Sequence, residues 1–236
     1  MLTGIYSGAS ALDNYTQQQE VISTNLAHLN TPGYRRQLLS FEERLVAGSA
    51  SEAKPGTNVR TLVTDFESGI KKTTGRTLDL AIAGDGFFTY QGESGEVFSK
   101  NGIVFRSPDG ELVNSDGLAL LSDGEPIVVP ESVSNYDLVI TPDGEVSANG
   151  ETFGSITLAE FDDPQLLDNE SQVYFKLGRA TASPAEDSTI IQGTRELANA
   201  QPVNELVGLI VGSRSFEAAQ RALRTLSDTM QENVRA

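Results

Sequence analysis

Residues 203–230 read VNELVGLIVGSRSFEAAQRALRTLSDTM, and their spacing decides what the rest of the chain must do. Leu209, Phe216, Leu223 and Met230 recur every seven residues, with Ala219 and Leu226 at the partner positions of the same frame. That is the pattern of a helix packed along a seam against another helix. Asn204, following Pro202, is the expected N-cap. A helix of this length is marginal alone in water, so packing must stabilise it. Full burial of a side chain such as Leu223 is worth roughly 1.5–3 kcal/mol.

A partner lies at the other end of the chain. Between Leu2 and Leu29, the side chains of Ile5, Leu12, Tyr15, Ile22, Leu26 and Leu29 occupy a and d positions of one heptad frame, and Gln19 fills the remaining a position. Gly4 and Gly8 weaken the start of this helix, each by about 1 kcal/mol relative to Ala. Asn30-Thr31-Pro32-Gly33-Tyr34 ends it, because the residue before Pro avoids helical angles and Gly accepts a left-handed turn. Periodicity alone fits a coiled coil and an ordinary helix facing a globular core equally well.

Between the helices the period changes to that of short strands. Leu78–Ala83, Phe87–Tyr90, Val97-Phe98, Ile103–Phe105, Leu118–Leu121, Ile127–Val129, Leu138–Ile140 and Ile156–Leu158 are brief apolar runs. Asp-Gly pairs at 85–86, 109–110, 116–117, 123–124 and 143–144 read as primed hairpin turns between them. The expected fold is α+β: N- and C-terminal helices paired as a coiled coil around a central antiparallel β domain. The expected divisions are an N-terminal helix and turn over 1–45, a connector over 46–72, and the β domain over 73–180. A return linker over 181–202 and the C-terminal helix over 203–236 complete the chain.

Composition removes several classes of function. A net charge of −16 argues against nucleic acid, which needs a basic footprint, and against docking on an anionic membrane. With no cysteine, disulfides and thiolate metal sites are excluded. His28 is the only histidine and sits near a helix C-terminus, where the dipole favours it, so neither a catalytic triad nor a paired-histidine metal site is expected. Gly84-Asp85-Gly86 lacks the further Gly and helix of a phosphate-binding loop. The acids of 108–125 sit in separate turns, unlike a calcium loop. No catalytic residue, cofactor or metal is expected. The first residues show no basic segment followed by an apolar core, so no cleaved secretory signal is expected and export would need another route.

Four blocks, in order, carry a family resemblance. Val21-Ile-Ser-Thr-Asn-Leu-Ala27 with Asn30-Thr-Pro-Gly-Tyr34-Arg35 resembles the N-terminal signature of the bacterial flagellar rod, hook and hook-associated axial proteins. Leu78-Asp-Leu-Ala-Ile-Ala-Gly-Asp-Gly-Phe-Phe88 is similar to the block that opens their β domain, and the segment Phe105 to Leu121 to the block that follows. Val203-Asn-Glu-Leu-Val-Gly-Leu-Ile210 with Arg214-Ser-Phe-Glu-Ala218 resembles their terminal helix. Phe216 stands where Tyr is common, Gly212 or Ser213 where Gln is common, and His28 where Asn is usual. The short connector from Phe41 to Thr73 favours the basal-body rod proteins, proximal or distal, over the hook, and the compact approach from Asp65-Phe66 to Leu78 leans toward the proximal type.

The resemblance implies a structural subunit that polymerises helically with copies of itself and other rod and hook subunits. It also implies export by the flagellar type III apparatus and a place in the periplasmic drive shaft that transmits torque. Ile5, Leu12, Ile22, Leu26, Leu29, Leu209, Phe216, Leu223, Leu226 and Met230 are the expected assembly residues, with Asn30, Thr31, Pro32, Gly33 and Tyr34 as the turn that sets the chain's exit. A hook-type subunit is the nearest alternative; a cell-wall hydrolase or a calcium-binding β module are more distant ones.

Overall fold

The computed structural model describes residues 2–43 and 58–235, with side chains over 8–40 and 61–229. The chain divides into two units: residues 1–28, 36–65 and 200–236 make the first, and residues 29–35 and 66–199 the second. The family of elements is α+β, with a helix at each end and an antiparallel β domain between them.

In the first unit, α1 spans Leu2–Ala27 and α2 spans Pro202–Arg235. The α2 start corrects the expected cap. Pro202 takes the first helical position, where its missing N–H is no loss, and Asn204 falls inside the first turn, donating to Gln201 Oε1 at 2.8 Å. Strands β1 (Gln37–Glu43) and β2 (Asn58–Thr64) form an antiparallel hairpin with Gln37 opposite Thr64 and Glu43 opposite Asn58. The expected connector over 46–72 is therefore part strand, its 46–57 portion lying outside the described residues. A lone hairpin is marginal in water. This one is pinned at its base, where Arg36 Nε meets Asp65 Oδ2 at 2.7 Å and the Asp65 N–H donates to Arg36 O at 2.9 Å.

The second unit is built from antiparallel sheets. Strand β3 (Lys71–Thr73) pairs with Thr194–Glu196, and β4 (Asp79–Ala83) lies between Thr189–Gln192 and Gly102–Ile103. Strands β5 (Phe87–Gly92) and β6 (Gly95–Ser99) are the centre of a six-stranded sheet, flanked by Leu158–Phe161 and Ala182–Pro184 on one side and by Phe175–Lys176 and Asp168–Asn169 on the other. The expected return linker over 181–202 is thus mostly β domain. Its Ala- and Ser-rich start looks like a linker because it is a thin edge strand, where small side chains and Pro184 discourage further pairing.

Successive residues in a strand face opposite sides, which explains why residues 87–90 of β5 are all buried. Phe88 and Tyr90 enter a core with Leu80, Ile82, Leu120 and Val146, while Phe87 enters a second core with Phe98, Phe161 and Phe175. Phe87 and Phe161 stack edge to face at 5.3 Å, Phe98 and Phe161 at 4.9 Å. The Tyr90 hydroxyl, desolvated and with its pKa raised by burial, donates to Asn101 O at 2.7 Å.

The Asp-Gly pairs divide by geometry. Asp123-Gly124 alone has φ > 0 at both residues, 47° and 87°, as a primed two-residue turn requires. Asp109-Gly110, Asp116-Gly117 and Asp143-Gly144 instead close type I turns in which only Gly is left-handed, with Gly N–H bonds to Ser107, Asn114 and Thr141. Asp85-Gly86 corrects the expectation outright: β4 and β5 do not pair, so it links two sheets. Asn149-Gly150, at φ 54° and 85°, is a second primed turn.

Candidate functional site

Helices α1 and α2 lie side by side and antiparallel within the first unit. Gly8 faces Leu223, Gln19 faces Gly212, Ile22 faces Gly208, and Asn25 Nδ2 reaches Glu205 Oε2 at 3.5 Å. Glycine permits this approach. A Cβ at Gly8 would fall 2.4 Å from Leu223 Cδ2, and one at Gly208 would fall 3.3 Å from Ile22 Cδ1. Gly8, read in the sequence only as weakening the helix, is one of the residues that admit its neighbour.

The expected assembly residues separate into groups. Ile22 is buried, and Leu12, Leu26, Leu209, Phe216 and Leu223 are half-buried. Leu226 is 39% exposed. Ile5 and Met230 lie in the helices, with side chains outside those described. Leu29 lies beyond the end of α1 at Ala27 and is grouped with the second unit.

Two features escaped the heptad reading. Asn25, 1% exposed, donates to Gln37 O at 2.9 Å and accepts from Gln37 N–H at 2.8 Å, so it fixes where β1 leaves the helix. A polar residue beside apolar positions was its only signal. Second, Val203, Leu206, Val207, Ile210 and Val211 are exposed on α2, with Ile210 at 55% and Val203 at 71%. The density of apolar residues in VNELVGLIVG exceeds what one seam needs, and that surplus was legible. Gln19, Leu209, Ile210, Ser213, Arg214 and Glu217 line an open groove beside it.

The Asn30–Tyr34 turn belongs to the second unit. Tyr34 N–H bonds Thr31 O at 3.3 Å, with Pro32 and Gly33 (φ 71°) central, which is a type II turn. Gly33 is doubly required, since a Cβ would lie 2.3 Å from Asn101 N. Tyr34 is fully buried in the main core. Arg35 follows it, fully buried, with Nη2 on Glu196 Oε1 at 2.8 Å. Lys100 is also buried, its ammonium 4.5 Å from the Phe87 ring centroid and 3.3 Å from Gly84 O. Desolvation first, then the Arg35 charge, lower its pKa to about 8.

Among the described residues, no group of three or more His, Asp or Glu is placed to hold a metal ion, and no helix is long and apolar enough to cross a membrane. His28 sits just past α1, its N–H on Thr24 O at 3.2 Å.

Two end helices thus lie side by side with glycines at their contacts, and one keeps apolar side chains in the open. Comparison with known proteins gives the family. Residues 5–35 match the family described as flagella basal body rod protein, residues 81–148 the flagellar hook protein FlgE/F/G D1 domain, and residues 191–234 the flagellar basal body rod FlgEFG protein C-terminal. The chain is 30% identical to flagellar basal-body rod protein FlgG of Bacillus subtilis, covering 99% of this chain and 98% of that one. It is 27% identical to FlgF of Caulobacter vibrioides, over 99% and 97% of the two chains, and 26% identical to FlgF of Salmonella typhimurium, over 95% and 94%. The chain belongs to the flagellar basal-body rod protein family, a structural family.

Proposed function

We propose that this rod subunit polymerises helically through α1 and α2, which pair as a coiled coil within each copy and continue the layer into neighbouring copies and other rod and hook subunits. The observation that carries this is the second apolar stripe on α2: Val203, Val207 and Ile210 stay exposed after the helix has paired with α1. A subunit that joins a different patch to its own pair face makes a heterologous contact, and such contacts build open helices. The polymer serves as a drive shaft across the periplasm and transmits torque through many simultaneous contacts. Delivery is by the flagellar type III apparatus, as helices marginal alone suit passage through a narrow channel. Neither nucleic acid nor membrane insertion has a part in it.

Electron microscopy of concentrated protein tests the proposal. Wild type forms filaments or tubes. Leu26→Asp, Leu223→Asp, or Val207→Asp with Ile210→Asp abolishes them, while near-ultraviolet circular dichroism of the β domain is unchanged. Variants that still polymerise and support motility would sink the reading.

A further inference from the structure

We propose that Glu196 is the positioning residue that binds together every stretch of chain joining the β unit to the rest of the subunit, so that load arriving along one stretch is carried by all. The mechanical reading rests on the rod function proposed above; the bonding does not.

The chain passes into or out of the β unit at 28/29, 35/36, 65/66 and 199/200. Three segments of that unit therefore carry all the connections: 29–35, 66–71 and 194–199. Glu196 bonds to each of the other two. From the first, Arg35 Nη2 donates to its Oε1 at 2.8 Å and Gly33 N–H to its carbonyl at 3.0 Å. From the second, Gly69 N–H donates to the same Oε1 at 2.7 Å. Glu196 itself stands opposite Lys71 in the pairing with β3.

Neighbouring bonds complete the junction. Leu197 N–H reaches Ile70 O at 2.9 Å, Asn199 Nδ2 reaches Glu67 O at 3.1 Å, and Asn199 N–H reaches Tyr34 O at 3.4 Å. Gly69 allows the segments to touch, since a Cβ there would lie 2.0 Å from Leu197 O.

The carboxylate is more than one acceptor among several. Arg35 and Glu196 side chains are 0% and 1% exposed. Arg35 Nε and Nη1 are buried without a hydrogen-bond partner among the described residues, and Lys100 adds a second cation nearby. Neutralising Glu196 leaves buried positive charge uncompensated, the circumstance in which breaking an ion pair is most disruptive. Bonds that converge on one group open together, because each holds the others' partner in place.

Amide hydrogen exchange on the purified full chain tests this. In wild type, the amides of Gly33, Gly69 and Leu197 exchange as one set. Glu196→Gln keeps the shape and an acceptor oxygen, and accelerates the whole set by about tenfold or more. The amides of Leu120, Val129 and Ile156, bonded elsewhere in the β unit to Leu112, Gly110 and Gly144, keep their rates. Acceleration of Gly69 alone, or of every amide equally, would overturn the proposal. Should Glu196→Gln not fold, Arg35→Lys, which keeps the charge and loses the guanidinium Nη2 donor, accelerates the same set to a smaller degree. Failure of the wild-type chain to polymerise would remove the mechanical reading and leave the exchange result standing.

Discussion

Lys100 shows what a single buried cation does to the β unit. Its ammonium faces Arg35 and Lys71, which oppose its charge, and Glu196 and Asp85, which favour it, with burial the largest influence. A folded-state pKa of about 8 against 10.5 unfolded means the unfolded chain holds more protons between those values. Stability therefore carries its full penalty below pH 8 and recovers as pH rises toward 10.5, by roughly 3 kcal/mol at most. Lys100→Met escapes that dependence. Urea unfolding at pH 7 and pH 10 should show the wild type gaining on the variant at the higher pH; parallel pH profiles would show that the ammonium is not destabilised in the folded protein. Sequence gave no sign of this residue, because Lys100 lies in a turn-like stretch, Ser99-Lys-Asn-Gly102, that reads as surface. It is interior because β6 runs straight into the junction of Gly33 and Asn101.

At the scale of elements, the helix pair turns on Gly8. Ala at a helical position usually gains about 1 kcal/mol over Gly, whereas overpacking a filled contact costs about 1–3 kcal/mol. The atoms that a Gly8 Cβ would meet are Leu223 Cδ2 and Cγ, at 2.4 and 2.7 Å. Gly8→Ala should therefore weaken helix pairing in the wild type and strengthen it in a Leu223→Ala background. A double-mutant cycle read by helical ellipticity on heating checks that change of sign; additive effects would mean that the two residues do not meet. The heptads of both helices were readable because side-chain period is a local property. The partner of each residue was not, since it depends on how closely the backbones approach, and glycine carries that information only once both helices are placed. The Asp-Gly turns show the same division. Their existence follows from residue type, but Asp85-Gly86 joins two sheets where Asp123-Gly124 joins two paired strands, and only the long-range pairing of β4 with Thr189–Gln192 distinguishes them. The junction at Glu196 was illegible for a similar reason, as its members are 161 and 127 residues apart in the chain.

At the scale of the whole molecule, the acidity is not evenly spread. The β unit, residues 29–35 and 66–199, holds 23 acidic and 9 basic residues, a net charge of −14, against −2 for the helical unit. The helical unit is thus nearly neutral where close association is proposed, and the repulsion between copies comes from the β units. Repulsion of that kind is screened over a Debye length of about 30 Å at 0.01 M salt and about 10 Å at 0.1 M. The critical concentration for polymerisation should then fall steeply as sodium chloride rises from about 0.01 to 0.1 M, and little beyond. Glu93→Gln, Glu131→Gln, Asp162→Asn and Asp187→Asn together remove four exposed acids from the β unit. They should lower the critical concentration at low salt and flatten its dependence, without changing the value approached at high salt. Sedimentation of polymer from monomer across a salt series measures both curves. If the variant and wild type give curves of equal slope, the β-unit charge does not govern association; if the variant differs only at high salt, the effect lies in packing and not in repulsion.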